Sequence, residues 1–288
     1  MIKGWAIYSR DTLSSKFGNN AFDWMVESAA KYGLEVQILF EEDFSLMTQD
    51  DTLHFYLKGE KIEKPEFAVM RSYAFDLARH LESAGVKVFN SSESMLKSQD
   101  KWMTHQILCA QNLRSPDSYV SVLKLSFDEI KAVLGSPFVL KGLHGSKGED
   151  VYLVDNSIEL KEAYSALNGQ KIMYQAFLKE SSGTDIRVHV IDGQVVAAVR
   201  RRSEGDFKSN FHQGGSAQSV ELTTEMKEMS IKAADVLGLE FAGIDLLESS
   251  DGPSICEVNA IPGFRTICLT SDTDVPSMIF EMVSKKMK

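Results

Sequence analysis

The stretch FAGIDLLESSDGPSICEVNAIPGF, residues 241–264, decides the fold and the site of this chain. Two short apolar segments, 241–247 and 254–258, flank the turn-forming pair at Asp251 and Gly252. Alternating apolar segments on either side of an Asp-Gly pair are typical of a β-hairpin. The stretch therefore predicts two antiparallel strands, each of which carries an acidic residue within an apolar setting.

Three oxygen-bearing side chains are expected to meet on one face of this hairpin. Side chains alternate along a strand, so Glu257 and Asn259 point to the same side, and Asp245 can join them from the neighbouring strand. Carboxylate and amide oxygens, together with nucleotide phosphates, are the ligands that Mg²⁺ prefers. The pattern predicts a metal–nucleotide site. The alternative is that both acids are edge or turn residues that face water.

Length and charge bound the class of protein. A chain of 288 residues exceeds a typical single domain, so two or three packed units are expected. The 31 basic and 41 acidic residues give a net charge of −10, which disfavours general binding to nucleic acid or to an anionic membrane. No long apolar run predicts a signal peptide or a membrane span. We expect a cytoplasmic protein.

The cysteines Cys109, Cys256 and Cys268 show neither CxxC nor Cys/His spacing. An odd number without such spacing argues against a disulfide framework or a zinc site, and favours a reducing compartment.

The first ninety or so residues alternate strands and helices. Segments 2–8, 34–40 and 67–71 are apolar strands with helical patterns between them, which predicts a small α/β domain with a parallel sheet. No GxGxxG follows the first strand, so a dinucleotide site is disfavoured. Arg71 ends its strand where open parallel sheets contact ligands. Two roles are considered for Arg71, a contact with substrate and a surface salt bridge.

A single helix is predicted over 91–112, with Lys101 in its interior. Further on, VLKGLHGSKGEDVYLV (139–154) places a glycine-rich loop between two strands. Its glycines allow backbone N–H groups to approach phosphate oxygens, and Lys141 and Lys147 supply positive charge. It is not a Walker A loop, because no GK[ST] and no helix follow. An ordinary mobile hairpin tip stays open as the alternative.

Arginines cluster on a second predicted hairpin, TDIRVHVI–DG–QVVAAVR. Asp185 and Arg187 share one face of its first strand. On the second strand Arg200 and Arg202 share a face, and Arg201 points the other way. Clustered arginines suit the bidentate binding of carboxylate and phosphoryl oxygens. A solvated basic edge is the alternative.

The glycine loop after Lys141, the DIR strand, EGDFKSNFHQGGSA (204–217, expected to form a loop) and GIDLL…CEVNAIPGF together resemble the ATP-grasp superfamily. Within it they resemble the RimK-like glutamate ligases most closely. The resemblance implies an α/β (α+β) ATP-grasp fold, in which a small parallel-sheet domain (1–92) precedes two α+β subdomains (93–173 and 174–288) that clasp ATP.

The resemblance also assigns roles by position. Lysines and the glycine loop would hold the ATP phosphates, the interdomain hinge would bind adenine through its backbone, and Asp185 would meet the ribose. The implied nucleotide-binding residues are Lys101, Lys141, Gly145, Ser146, Lys147, Gly148, Gln175, Ala176, Phe177, Asp185, Lys208, Ser209 and Asn210. The implied Mg²⁺ ligands are Asp245, Glu257 and Asn259, and the catalytic arginines are Arg187, Arg200 and Arg202.

The implied function is ADP-forming carboxylate–amine ligation through an acyl-phosphate, with ATP and Mg²⁺, or Mn²⁺ in its place. The partners would be an amino acid, glutamate first, and a carboxylate on a protein or peptide C-terminus or on a small molecule. Lactam or isopeptide formation on a peptide stays open. Nucleotide binding without turnover also stays open, since Ala176 replaces the usual hinge acid and Glu149-Asp150 alters the glycine loop. Homo-oligomer formation, and which of the three consecutive arginines is catalytic, are undecided.

Overall fold

The computed structural model describes residues 1–14, 18–143, 150–167, 169–203, 207–208 and 215–288. The strands are β1 (Ile2–Tyr8), β2 (Leu34–Phe40), β3 (Phe44–Gln49), β4 (Thr52–Leu57), β5 (Glu60–Ile62), β6 (Phe67–Arg71), β7 (Lys87–Phe89), β8 (Ser118–Val120), β9 (Phe138–Gly142), β10 (Val151–Val154), β11 (Ile172–Ala176), β12 (Thr184–Ile191), β13 (Gln194–Arg202), β14 (Ser216–Ser219), β15 (Phe241–Ser249) and β16 (Gly252–Asn259). The helices are α1 (Gly18–Ala30), α2 (Phe75–Ser83), α3 (Ser92–Gln99), α4 (Lys101–Ala110), α5 (Phe127–Leu134), α6 (Ser157–Ala166), α7 (Thr224–Val236), α8 (Arg265–Ser271) and α9 (Val275–Lys286).

The N-terminal part contains the parallel sheet that its strand–helix–strand order predicts. Its strand order is β2-β1-β6-β7, and all three pairings are parallel. Strand β6 is buried along its whole length, as expected for an apolar strand covered on both faces. A three-stranded antiparallel sheet, β3-β4-β5, packs beside it through Phe44 and Phe55, whose rings contact Trp5.

The helix predicted over 91–112 is wrong in one respect, because two helices occupy this segment. Asp100 lies between α3 and α4 in an extended conformation (φ −79°, ψ 104°), and its side chain accepts a hydrogen bond from the Met103 amide at 2.9 Å. Asp favours this N-cap geometry over a helix interior. Lys101 therefore begins α4 instead of lying inside a longer helix.

Two antiparallel sheets follow. The first has the order β10-β9-β11-β8 and a core of its own, which includes Ile130, Phe138 and Tyr174. The second has the order β14-β13-β12-β15-β16. Strand β14 includes Ser216 and Ala217, which the sequence pattern assigns to a loop. The parallel sheet and these two antiparallel sheets agree with the mixed α/β (α+β) architecture expected from the sequence. The boundaries at 92 and 173 stay predictions.

The N-terminal sheet and the five-stranded sheet share their apolar cores. One cluster joins Ile7 and Leu81 to Ile244, and another joins Val69 to Phe280 of α9. The hairpin of β15 and β16 is thus held against the N-terminal sheet. Among the described helices none is both long and apolar enough to cross a bilayer.

Asn90 links the N-terminal sheet to the hairpin of β15 and β16 through hydrogen bonds. Its side chain is fully buried, donates to the carbonyls of Phe241 (2.7 Å) and Ala260 (2.9 Å), and accepts from the Glu240 amide (2.7 Å). One side chain after β7 therefore satisfies backbone groups at the start of β15 and just after β16.

We expect Asn90→Ala to lower the free energy of unfolding by on the order of 3 kcal/mol, because it leaves several buried backbone groups unpaired. Urea titration measures the change. The exposed Gln194→Ala is the matched control and should change the stability by under about 0.5 kcal/mol. Equal losses of unfolding free energy in the two variants would contradict a stabilising role for the Asn90 side chain.

Candidate active site

The site lies on one face of the five-stranded sheet. Cross-strand neighbours place Asp185 opposite Arg201, Arg187 opposite Asp245, and Asp245 opposite Glu257. Asn259 lies opposite Gly243, next along the same face. Residues directly opposite each other share a face. The expectation that Asp245, Glu257 and Asn259 point to one side is therefore confirmed.

A β-bulge in the hairpin of β15 and β16 makes this arrangement. Leu246 pairs with Ile255, but Asp245 pairs with Glu257, so Cys256 is the extra residue. A regular ladder would continue from Leu246–Ile255 to Asp245–Cys256 and turn Glu257 to the opposite face. The bulge therefore brings the two acids together. Nothing in the sequence marks Cys256 as bulged.

A second β-bulge decides which arginines reach the site. Val190 pairs with Val195, but His189 pairs with Ala197, so Val196 is the extra residue of β13. In a regular ladder Asp185 would face Arg200. With the bulge it faces Arg201 instead.

The grouping of Arg200 and Arg202 with Arg187 is corrected by this register. Arg200 lies on the opposite face and pairs with Glu248, its Nη2 donating to Oε1 at 3.2 Å. Arg202 is exposed at the end of β13. Arg201, and not the two arginines next to it, lies opposite Asp185 and contacts Asp245 on the face that carries Arg187.

Two arginines share two buried carboxylates here. Arg187 Nη2 donates to Asp245 Oδ2 at 2.7 Å, and Arg187 Nε binds Asp245 Oδ1. Arg201 Nε donates to Asp185 Oδ1 at 2.7 Å, and its Nη2 lies 3.0 Å from Asp245 Oδ2. The result is a compact charged network with little exposure to solvent.

The network also sets the protonation states. Burial alone would raise the pKa of Asp245, but the charges of Arg187 and Arg201 outweigh burial and hold it below its usual value. Burial tends to lower the pKa of Arg201, whereas Asp245 and Asp185 raise it further than burial lowers it. Arg201 therefore stays charged beside an ionised Asp245 at neutral pH.

The donor set suits a hard cation. Two carboxylates and one amide oxygen face the same side, and the Glu257 side chain is 40% exposed. Asn259 Oδ1 accepts from the Ile261 amide (2.8 Å) and the Tyr73 hydroxyl (3.3 Å), which fixes its orientation. No three His, Cys, Asp or Glu side chains of the described ranges form a metal cluster.

Both predicted phosphate-binding lysines reach this hairpin. Lys101 Nζ lies 3.9 Å from Glu257 Oε1. Lys141, buried on β9, donates to Cys256 Sγ at 3.5 Å. Lys101 begins a helix and Lys141 lies in the central sheet, so the two lysines come to β16 from separate elements. Lys208 is described but lies beside the Phe207 ring, 5.6 Å from its centroid. Other predicted nucleotide contacts lie outside the described residues: Gly145, Ser146, Lys147, Gly148, Ser209 and Asn210.

Two predicted nucleotide contacts are engaged within the protein. The Ala176 amide donates to the Asp117 carbonyl at 2.8 Å, so we assign adenine recognition, still as a prediction, to the Ala176 carbonyl and the Phe177 backbone. Both oxygens of Asp185 accept hydrogen bonds from Arg201, and its assignment to the ribose stays a prediction.

Gln175 belongs to a buried network behind the hinge that also contains His105, a residue that the sequence does not single out. Gln175 Nε2 donates to Ser118 Oγ at 3.0 Å and lies 3.4 Å from His105 Nε2. Burial and the charge of Lys141 lower the pKa of His105 to about 4. The histidine is therefore neutral at physiological pH and part of the scaffold.

Stability is expected to fall as the pH drops from 6.5 towards 4. The unfolded chain protonates His105 near pH 6.5, whereas the folded chain resists protonation until about pH 4, so the stabilisation present above pH 6.5 is lost in between. Urea titrations at pH 7 and pH 4.5 measure the loss of unfolding free energy between these pH values. His105→Gln should make that loss smaller by on the order of 2 kcal/mol. His54→Gln, at a half-exposed histidine, is the control, and equal pH slopes in both variants would refute this assignment.

Comparisons with known proteins agree with this geometry. A model of the RimK-like ATP-grasp domain matches residues 98–283. The probable alpha-L-glutamate ligase of Methanococcoides burtonii is 33% identical over 276 residues, which cover 92% of this chain and 91% of that protein. The protein of the same name from Psychromonas ingrahamii is 36% identical over 259 residues, which cover 83% and 86%.

Among solved structures, the ATP-grasp ligase PsnB, complexed with a phosphomimetic variant of its minimal precursor, Mg and ADP, superimposes with a TM-score of 0.72. The match covers 100% of this chain and 99% of PsnB at 19% identity, and it shows the shared fold. The chain therefore belongs to the RimK-like ATP-grasp family and is an ATP-dependent, ADP-forming carboxylate–amine ligase.

Proposed function

We propose that this ligase joins glutamate to the carboxylate of an acceptor, with a protein or peptide C-terminus as the first candidate and a small-molecule carboxylate as the second. The observation that carries the proposal is the convergence of Arg187 and Arg201 with Asp245, Glu257 and the lysines on one sheet face. The names of the relatives that are 33% and 36% identical favour glutamate.

Each group has a distinct part in the proposed reaction. Lys101 and Lys141 would bind phosphate oxygens of ATP and orient the transferred phosphoryl group towards the acceptor carboxylate. Arg187 and Arg201 would bind the acyl-phosphate and the oxyanion that develops when the amine attacks it. Because both guanidinium groups are already fixed by carboxylates, little reorganisation accompanies the charge development.

Mg²⁺ is the cation that we propose for Asp245, Glu257 and Asn259, with Mn²⁺ as the alternative. When bound, it would supply neutralisation of the phosphate charge. Tyr73 and the Ile261 amide keep the Asn259 amide oriented on the metal side of the hairpin. The amine that attacks the acyl-phosphate needs no protein nucleophile.

The cell compartment follows as part of the same proposal. The cysteines Cys109, Cys256 and Cys268 are free thiols. Free thiols on a 288-residue chain fit a reducing cytoplasm.

The test uses the full-length protein with ATP, Mg²⁺ and isotopically labelled glutamate in an extract of the native cell. Mass spectrometry should find the label on a C-terminus or on a small-molecule carboxylate, with ADP and phosphate released. Release of AMP, or ADP release that is independent of any amino acid, would contradict the proposal. Loss of water from a peptide without added glutamate would instead indicate lactam formation.

A further inference from the structure

Arg71 is a buried cation without a carboxylate partner. It ends β6, is 9% exposed, and makes no ion pair with any residue of the described ranges. Its Nη2 donates to the Pro262 carbonyl at 2.7 Å, and its guanidinium carbon lies 5.3 Å from the ring centroid of Phe264. Its Nε and Nη1 are buried and have no hydrogen-bond partner in the part of the chain that the structure describes. The surface salt bridge considered for Arg71 is therefore excluded within these ranges.

Unsatisfied polar atoms concentrate around this guanidinium. Tyr8 is its neighbour on β1, and the Tyr8 hydroxyl is buried beside the guanidinium. His189 Nε2 is also buried and has no hydrogen-bond partner among the described residues. Burial, together with the charges of Arg187 and Arg71, lowers the pKa of His189 to about 3, so both guanidinium groups lie near this ring. Buried polar atoms are ordinarily paired, and a cluster of exceptions indicates a site that a ligand completes.

The charges at this junction do not balance. Arg71 is a buried cation and Arg187 and Arg201 are partly buried ones, whereas Asp185 and Asp245 are buried anions that are already bound to Arg187 and Arg201. A buried guanidinium without a counter-charge is costly. An anionic ligand at Arg71 would remove this cost.

Pro262 lies between Arg71 and Arg187. A Cβ atom on Gly243 would lie 2.7 Å from Pro262 Cβ and 3.2 Å from Arg187 Cδ, so Pro262 and Arg187 meet over Gly243. Arg71 holds the carbonyl of the same proline. In glutamate the side-chain carboxylate lies farther from the amine than the α-carboxylate does, which suits an anchor set back from Arg187 and Arg201.

We propose that Arg71, together with the Tyr8 hydroxyl, binds the side-chain carboxylate of the acidic amino acid that the ligase joins to its acceptor. This rests on the proposed function and extends it to amino-acid selection. The guanidinium offers a planar set of donors to a carboxylate. Because Nε and Nη1 are shielded from solvent, we expect the loop that carries Pro262 to shift when the amino acid binds.

The experiment compares Arg71→Met, Arg71→Lys and Tyr8→Phe with Arg79→Met, an exposed arginine on α2. Calorimetry measures the binding of L-glutamate to the MgADP-bound protein, and ADP release gives kcat/KM for glutamate and for glutamine. Arg71→Met should weaken glutamate binding at least about tenfold and bring the glutamate-to-glutamine ratio close to one. The affinity for MgADP should stay within about twofold, and Arg79→Met should match the parent.

A structural role alone would lower the Tm and MgADP affinity without changing the ratio, and would overturn the proposal. Equal glutamate binding by the parent and Arg71→Met, or none by the parent, would also overturn it. If Arg71→Met does not fold, the ratio of kcat/KM for glutamate to that for glutamine in Arg71→Lys and Tyr8→Phe tests the proposal instead. Arg71-dependent glutamate binding in a parent that releases no ADP would refute the proposed ligation and leave this subsite standing.

Discussion

Arg201→Met is expected to lower kcat/KM for amino-acid-dependent ADP release by at least about 100-fold, whereas Arg200→Met and Arg202→Met stay within about threefold of the parent. The loss of one charged donor to a developing oxyanion typically has an effect of this size. Only Arg201 of the three consecutive arginines contacts Asp185 and Asp245, while Arg200 pairs with Glu248 on the other face. The three variants remove the same group from adjacent positions, so they serve as controls for one another.

Arg201→Met also leaves two buried carboxylates without one of their partners, which costs about 3 to 5 kcal/mol of stability when a buried pair is broken. Arg201→Lys addresses this point, since it keeps the charge but loses the forked geometry. It should fold, bind MgADP like the parent and still lose at least about tenfold in kcat. A fully active Arg201→Lys, or an inactive Arg200→Met with active Arg201→Met, would remove Arg201 from the reaction centre.

Glu257→Ala is expected to reduce Mg²⁺-dependent ADP release at least about 100-fold while the fold is retained. The Glu257 side chain is 40% exposed and its nearest charged contact, with Lys101, is at 3.9 Å, so its removal breaks no buried pair. A metal ligand of this kind contributes through neutralisation of the phosphates. Calorimetric titration of MgADP separates a binding defect from a purely chemical one, and we expect the affinity to fall at least about tenfold.

Glu228→Ala, at an exposed glutamate of α7, is the matched control and should leave activity and MgADP affinity unchanged. Urea titration should give similar free energies of unfolding for both variants. A Glu257→Ala protein that binds MgADP and turns over like the parent would refute the metal assignment of this residue.

Much of the fold could be predicted from local patterns. The strands β1, β2 and β6 begin and end where their apolar runs do, and Ser126 caps α5 through the capping box that its sequence contains. The break at Asp100 could not be predicted, because helix periodicity continues across it and a single side-chain cap decides the outcome.

Only some of the site residues could be predicted from the sequence, and the physical reason is different. Alternation along a strand gives two sets of side chains, but which set faces a partner depends on the pairing register. Arg201 could not be singled out from Arg200 and Arg202 because the extra residue at Val196 changes the register without a mark in the sequence. Likewise, the unsatisfied donors of Arg71 depend on which residues of distant segments surround it.

The two bulges each hold one residue that the pairing of the site does not need. Loss of the codon for Val196 would leave a regular ladder in which His189 still lies opposite Ala197 and Asp185 still lies opposite Arg201. Loss of the codon for Cys256 would likewise keep Asp245 opposite Glu257. Sequence alignments of relatives are accordingly expected to accept a single-residue gap at either bulge, and to avoid gaps between a bulge and the site residues that follow it.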